Sequence, residues 1–403
     1  MNSLHIQQHK FPALNAPSAT PRAQRCATVR VACAAQLEKR YKSPSSSTAS
    51  TELQYLESYT TVVPDTLLLQ NIEEIEAPKA ATVSSAVLAG ILRTPGALQE
   101  YKFGIENAIN YDKCHSKSGD DRLACLLDKA TVNIGTLFSK QVEGRVSTEV
   151  DPRLAYDTDA MIKVAQNLLA QYKEMDIAQD RVLLRIPGTW EGIQAAKQLE
   201  DQGVPTHIIL VYSLVQAMAA AQAGVSVIQP NIGRLDDWYA KHPGVIRDPK
   251  GPREDTGFMS GVNPGVRMAE RIYNFCKKYH PKTNVMVSGV RKPADALALC
   301  GVDYLVVGPK VLATLKDSQT LQGYNDGLTS LPQQDDYAAP RLSPELAAQE
   351  DFADFECETV TKQIFEEGLG LAGVALLKQG VQGLVDDIER MLPFFSSISV
   401  GQE

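Results

Sequence analysis

Two charged side chains occur near the ends of predicted strands that are otherwise largely apolar or β-branched. Arg185 interrupts the run Val182–Pro187, and Glu149 lies near the end of Arg145–Val150. Alternate residues of a strand face the same way, so the apolar residues of the first run share one face and leave Arg185 on the other. The same alternation places Glu149 on the inner face. A carboxylate there could handle protons, and a guanidinium beside it could form a buried ion pair with it.

Three further residues follow predicted strands. Asp65 ends the first strand, whereas Arg234 and Arg291 follow later ones. Two arginines at strand ends suit bidentate capture of a phosphate group. The alternatives are structural: Arg234 and Arg291 as salt-bridged surface residues, and Arg185 as a cation that keeps Asp65 and Glu149 ionised without doing chemistry.

The elements that would position these residues form a regular series. Short β-branched runs recur with helical patterns between them, for example after the potential N-cap Thr189, before Gly203. Eight runs predict a (β/α)8 TIM barrel, whose active site would lie at the C-terminal ends of the strands. An open doubly wound sheet is the alternative, but its GxGxxG marker is absent. The predicted strands are 60–65, 80–84, 145–150, 182–187, 207–212, 226–230, 284–288 and 304–307, and the extra C-terminal helices are 358–377 and 381–392.

The N-terminus has the composition of an organelle address. No Asp or Glu precedes Glu38, whereas basic and hydroxyl residues are frequent. This pattern predicts a chloroplast transit peptide at 1–35, with a mitochondrial address or a disordered tail as alternatives. A disordered linker at 36–51, the barrel at 52–316, and a linker with C-terminal helices at 317–403 complete the predicted organisation.

Composition excludes several classes of function. Loss of residues 1–35 removes four of the 40 basic residues and none of the 48 acids, so the net charge changes from −8 to −12. That charge, without a basic stripe, argues against nucleic-acid binding. The sequence has no run of 18 apolar residues, so a membrane span is not expected. The seven cysteines lack metal-ligand spacing, and the five beyond the transit segment are expected to be free thiols.

Four segments resemble the transaldolase family, and they occur in that family's order. They are Thr60–Asp65, Val146–Asp151, Thr189–Ile193 and Ile232–Tyr239. The resemblance runs from about Thr60 to Lys316 and continues more weakly to the C-terminus. Several long motifs in one register make a chance similarity improbable.

The resemblance implies a role in the pentose phosphate pathway, with ketose 6-phosphates and aldose phosphates as substrates. It implies a lysine Schiff base on strand four, from which a dihydroxyacetone unit is transferred, and no metal or other cofactor. Asp65 and Glu149 match the family's proton-handling acids, and Arg234 and Arg291 match its phosphate ligands.

Four positions depart from the family pattern. Arg185 stands at the lysine position, Ser84 at an asparagine, Ile209 at a threonine and Gln229 at a serine. A guanidinium stays protonated and cannot form an imine. The resemblance therefore predicts a pocket that binds sugar phosphates through Arg234, Arg291, Ser84 and Gln229. Its catalytic positions would be Arg185, Asp65 and Glu149, with transaldolase activity lost or altered.

Two other functions are compatible with the sequence. A displaced lysine, Lys310 or Lys292 near the mouth, could carry the Schiff base of an active transaldolase or aldol lyase. Alternatively, the barrel could be a non-catalytic interaction subunit. A homodimer is also compatible with the sequence.

Overall fold

The computed structural model describes residues 51–65, 79–243, 263–319, 341–350, 352 and 359–400, with side chains to 396. The predicted transit peptide and all but the last residue of the predicted linker lie outside these residues. Cys357 lies outside them as well.

Eight parallel strands build the sheet. Their order is β1-β8-β7-β6-β5-β4-β3-β2, with β1 hydrogen-bonded to β8, so the sheet curls into a nearly closed barrel. The predicted (β/α)8 fold is therefore confirmed, and each predicted strand is present with ends shifted by at most two residues. The strands are β1 (Thr61–Pro64), β2 (Ala80–Val83), β3 (Arg145–Glu149), β4 (Val182–Pro187), β5 (Thr206–Val211), β6 (Val227–Pro230), β7 (Asn284–Val290) and β8 (Tyr304–Val307).

Helices surround the sheet, and local capping begins several of them. Thr189, for example, accepts a hydrogen bond from the Gly192 N–H at 2.9 Å, as expected of an N-cap. Within the described residues, no single helix has the length and apolar composition to cross a membrane. One pair, α14 with α15 as far as Ser396, meets both criteria only when taken together, and it is bent by 99°. The helices are α1 (Glu52–Glu57), α2 (Ser85–Arg93), α3 (Pro95–Ile109), α4 (Asp112–His115), α5 (Gly119–Ser139), α6 (Thr158–Glu174), α7 (Trp190–Asp201), α8 (Leu214–Gln222), α9 (Ile232–Lys241), α10 (Pro264–Tyr279), α11 (Pro293–Ala298), α12 (Pro309–Asp317), α13 (Pro344–Gln349), α14 (Lys362–Gly368) and α15 (Gly370–Val400).

Apolar side chains fill the barrel below its mouth. Leu183, Val227 and Met286 pack together there, with Tyr304 and Val306 against them. On the other face of β4, Val182, Leu184 and Ile186 are fully buried beneath the helices. Leu183 and Arg185 share the inner face, so the apolar layer supports the polar residues above it.

The long C-terminal helix α15 crosses the strand ends. Its Leu377 and Val381 pack on Ala155 after β3, and Gly380 lies against Leu210 of β5. The prediction of two helices parted near residue 380 was wrong, because α15 is continuous there. A side chain at Gly380 would meet Leu210 at 2.8 Å. Glycine at this position therefore permits close packing instead of ending the helix.

A disulfide joins Cys114 on α4 to Cys125 on α5, and both cysteines are buried. The expectation of free thiols was wrong for this pair, but Cys276 is a free and buried thiol. A separation of 11 residues matches no motif. The two cysteines meet only because the short helix α4 folds back on the first turns of α5.

Reduction of this disulfide should destabilise the protein. Closing a loop of about this length stabilises a fold by about 3 kcal/mol, because it restricts the unfolded chain. We expect urea unfolding with dithiothreitol to show a free energy of unfolding lower by about that amount. A C114A/C125A double variant keeps Cys276 and Cys300 and should not respond to the reductant. An equal response in the double variant would assign the effect to another group.

Candidate active site

An ion pair occupies the mouth of the barrel. Glu149 and Arg185 are paired in register on β3 and β4, and Arg185 Nε lies 3.8 Å from Glu149 Oε1. Their side chains are only 4% and 15% exposed. Arg185 Nη1 donates to Gln229 Oε1 at 2.8 Å, and the Ser85 N–H donates to Glu149 Oε2 at 2.8 Å. The predicted residues Arg185, Glu149 and Gln229 therefore lie together.

Burial governs the electrostatics of this pair. It raises the pKa of Glu149, and Arg185 and Ser85 offset part of that rise. Burial lowers the pKa of Arg185, and Glu149 and then Asp65 oppose that change. Among the described residues, neither Arg185 Nε nor Glu149 Oε1 has a hydrogen-bond partner. The two atoms are too far apart for a hydrogen bond to each other.

Two neutral groups border the pair. His207 of β5 is fully buried, its Nδ1 lies 2.7 Å from Ser147 Oγ, and burial followed by the charge of Arg185 holds its pKa well below the ordinary value. Burial raises the pKa of Tyr212 to about 12, against the opposing charges of Arg234 and Arg185. Both rings are therefore neutral near pH 7. Tyr212 was not predicted as a site residue, although it ends a predicted strand, where residues of the site are expected.

The ends of the first two strands contribute differently. Asp65 is exposed beyond β1, and its N–H donates to Val307 O. Ser84, predicted to bind substrate, is the N-cap of α2, and its hydroxyl accepts from the Val87 N–H at 3.4 Å. That hydroxyl thus stabilises the helix start, while the next residue, Ser85, supplies the N–H that holds Glu149.

The two phosphate-arginine candidates lie on consecutive βα units. Arg234 is exposed in the first turn of α9, and its charge acts on Asp237. Arg291 forms a bidentate pair with Asp237 through both Nη atoms, the second contact being 2.6 Å. Gly233 permits this approach, because a Cβ there would lie 2.9 Å from Arg291 Nε. Arg291 is thus salt-bridged, as the structural alternative expects.

Comparison with known proteins agrees with this architecture. The family model described as Transaldolase/Fructose-6-phosphate aldolase matches residues 65–371. The chain belongs to this family. It is 39% identical to the transaldolase of Homo sapiens over 264 residues, which cover 65% of this chain and 74% of that protein. It is 37% identical to the transaldolase of Protochlamydia amoebophila over 267 residues, covering 66% and 78% of the two chains.

The two alternative lysines of this transaldolase-family chain lie outside the buried pair. Lys310 is exposed in the first turn of α12, and Lys292 is exposed at the N-cap of α11.

A small cavity lies on the helix side of Glu149. Asp128 lines this cavity. Burial, followed by the charge of Asp151, raises the pKa of Asp128 to about 7. Lys117, Arg153 and a hydrogen bond from Asn167 offset part of this rise. Within the described ranges, no group of His, Cys, Asp and Glu has the arrangement of a metal site. The cavity is lined by Ser85, Leu88, Leu127, Asp128, Thr131, Glu149, Asp151, Pro152 and Ile388.

Asp128 should make the stability of the fold depend on pH. Its pKa of about 7 exceeds the ordinary 3.8, so the folded protein binds a proton that the unfolded chain releases between those values. Stability should therefore fall as pH rises from about 4 to about 7. We expect D128N to flatten this decline and to be more stable than the parent at pH 8, measured by urea unfolding at several pH values.

The matched control is D121N, an exposed position on the same helix α5. It should retain the pH dependence of the parent. If D128N kept the full decline, another group would be responsible.

Proposed function

We propose that this chain is a plastid protein of pentose phosphate metabolism that binds sugar phosphates and has lost the Schiff-base route of transaldolases. Family membership supports the metabolic context. The acid-free N-terminus supports the location. The ligands would be ketose 6-phosphates and aldose phosphates.

The single observation that carries the proposal is the environment of Arg185. Its guanidinium is buried beside Glu149 and hydrogen-bonded to Gln229. The resemblance would put the family's lysine at this position. Imine formation needs an amine with a free lone pair. A guanidinium delocalises its electrons and remains a cation, and the neighbouring carboxylate favours that cation further.

The surrounding substitutions support an altered pocket. Gln229 replaces a smaller serine and supplies the acceptor for Arg185 Nη1. Ile209, at a threonine position, is buried and offers no hydroxyl to a proton-handling network. These changes suit an arginine and remove groups that assist a lysine.

Ligand binding would depend on the phosphate end. Arg234 and Arg291 would hold the phosphate, with Arg291 leaving the exposed carboxylate of Asp237 for the ligand. Exposed ion pairs contribute about 0 to 1 kcal/mol, so a phosphate dianion can displace Asp237 at little cost.

Borohydride trapping tests the lost imine. We expect the mature protein, incubated with fructose 6-phosphate and reduced with borohydride, to give no adduct by mass spectrometry. The R185K/I209T variant restores an amine and a hydroxyl and should give an adduct at position 185. An adduct at Lys310 or another lysine of the parent would contradict the proposal and favour an active enzyme with a displaced nucleophile.

Removal of either phosphate arginine should weaken binding. A lost charged hydrogen bond costs about 1.5 to 3 kcal/mol, so R234A and R291A should each raise the Kd for fructose 6-phosphate by about 10- to 100-fold. Calorimetric titration measures this change. R390A removes a surface arginine of α15 that pairs only with Asp386 and Asp387 among the described residues, and it is the matched control. Unchanged affinity in both site variants would place the phosphate elsewhere.

A further inference from the structure

One oxygen of Glu149 is hydrogen-bonded and the other is buried without a partner among the described residues. The Ser85 N–H at the start of α2 holds Oε2, whereas Oε1 has no hydrogen-bond partner among the described residues. A carboxylate fixed in this way presents one oxygen in a defined direction. Burial also makes it more basic than an ordinary carboxylate.

Arg185 is arranged in the complementary way. Gln229 accepts from Nη1, which fixes the plane of the guanidinium, while Nε is buried and lacks a partner within the described part of the chain. The site thus contains one carboxylate oxygen and one cationic N–H that are shielded from water and make no hydrogen bond within the described residues. Such donors stabilise negative charge more strongly than they do in water.

The 3.8 Å between Arg185 Nε and Glu149 Oε1 suits two adjacent groups of one ligand. A carbonyl oxygen can accept from Nε while a hydrogen on the neighbouring carbon faces Oε1. An open-chain sugar has this pattern, since its carbonyl carbon adjoins a carbon that carries hydrogen and hydroxyl.

We propose that this site enolises the sugar phosphate that it binds, with Glu149 as the base and Arg185 as the stabiliser of the enolate. The inference rests on the proposed function, because Arg234 and Arg291 hold the phosphate. It requires no imine, since the guanidinium replaces the covalent electron sink with a fixed charge.

The step balances without a co-reactant. Glu149 Oε1 takes the proton from the carbon beside the carbonyl, and the C–H electron pair forms a carbon–carbon double bond. The carbonyl π pair moves to oxygen, where the Arg185 N–H stabilises the negative charge. Glu149 then returns a proton to the same carbon and regenerates the ketose. If the proton on Glu149 has meanwhile exchanged with solvent, the carbon receives a hydrogen from the solvent.

Solvent exchange measures this step directly. Fructose 6-phosphate is incubated with the protein in D₂O, and proton NMR follows loss of the signals at C1 and C3. We expect exchange at about 100-fold the buffer rate or more, a typical gain from acid–base catalysis. E149Q and R185M should reduce exchange to the buffer rate, while D387N and R390M, on α15, should exchange like the parent.

For the parent and each variant, calorimetry also measures the binding of fructose 6-phosphate, and thermal unfolding shows whether the protein is folded. A parent protein that binds the sugar but shows only the buffer rate would overturn the enolisation and leave the proposed function standing. Failure to bind would overturn both. Exchange retained in a folded E149Q variant, or exchange accompanied by a borohydride adduct, would also overturn the inference. Loss of exchange in folded E149Q and R185M that still bind the sugar would support it.

Discussion

A guanidinium buried at the mouth of a barrel needs a carboxylate beside it, and this requirement organises the site. Removing one partner of a buried pair typically costs about 3 to 5 kcal/mol, because the remaining charge is left without compensation. Arg185 therefore depends on Glu149. Glu149 in turn accepts a hydrogen bond from the first N–H of α2, and Arg185 Nη1 donates one to Gln229. Arg185 and Gln229 are thus physically linked, since the glutamine supplies an acceptor for the arginine.

The C-terminal helix α15 packs against a residue of β5 that has an unusual backbone conformation. In β5 the pairing with β6 shifts between Ile208 and Val211, and Leu210 lies in the left-handed region with φ of 59°. That conformation costs a non-glycine residue about 1 to 2 kcal/mol. It presents Leu210 to α15 at Gly380. The strain in β5 is therefore accompanied by close packing between this strand and α15.

Periodicity and capping were sufficient to predict the barrel, because both are local. The β-branched runs gave the eight strands, Thr189 gave the start of α7, and alternation placed Arg185 and Glu149 on one face. Features that depend on distant contacts could not be predicted. The Cys114–Cys125 disulfide needs the α4–α5 reversal. The Arg291–Asp237 pair needs the close approach of two βα units.

A lysine and an arginine at the mouth of this barrel would assist catalysis in different ways. A lysine must lose its proton before it can attack a carbonyl, so its use depends on a lowered pKa. Arg185 needs no such change, and its neighbours His207 and Tyr212 are neutral, which leaves the guanidinium and Glu149 as the charged groups facing each other. Negative charge that develops on a ligand oxygen beside Arg185 would meet a fixed cation without reorganisation of the pocket. At this position a guanidinium would therefore offer an electrostatic electron sink, where a lysine amine would offer a covalent one, and the Glu149 carboxylate lies beside it.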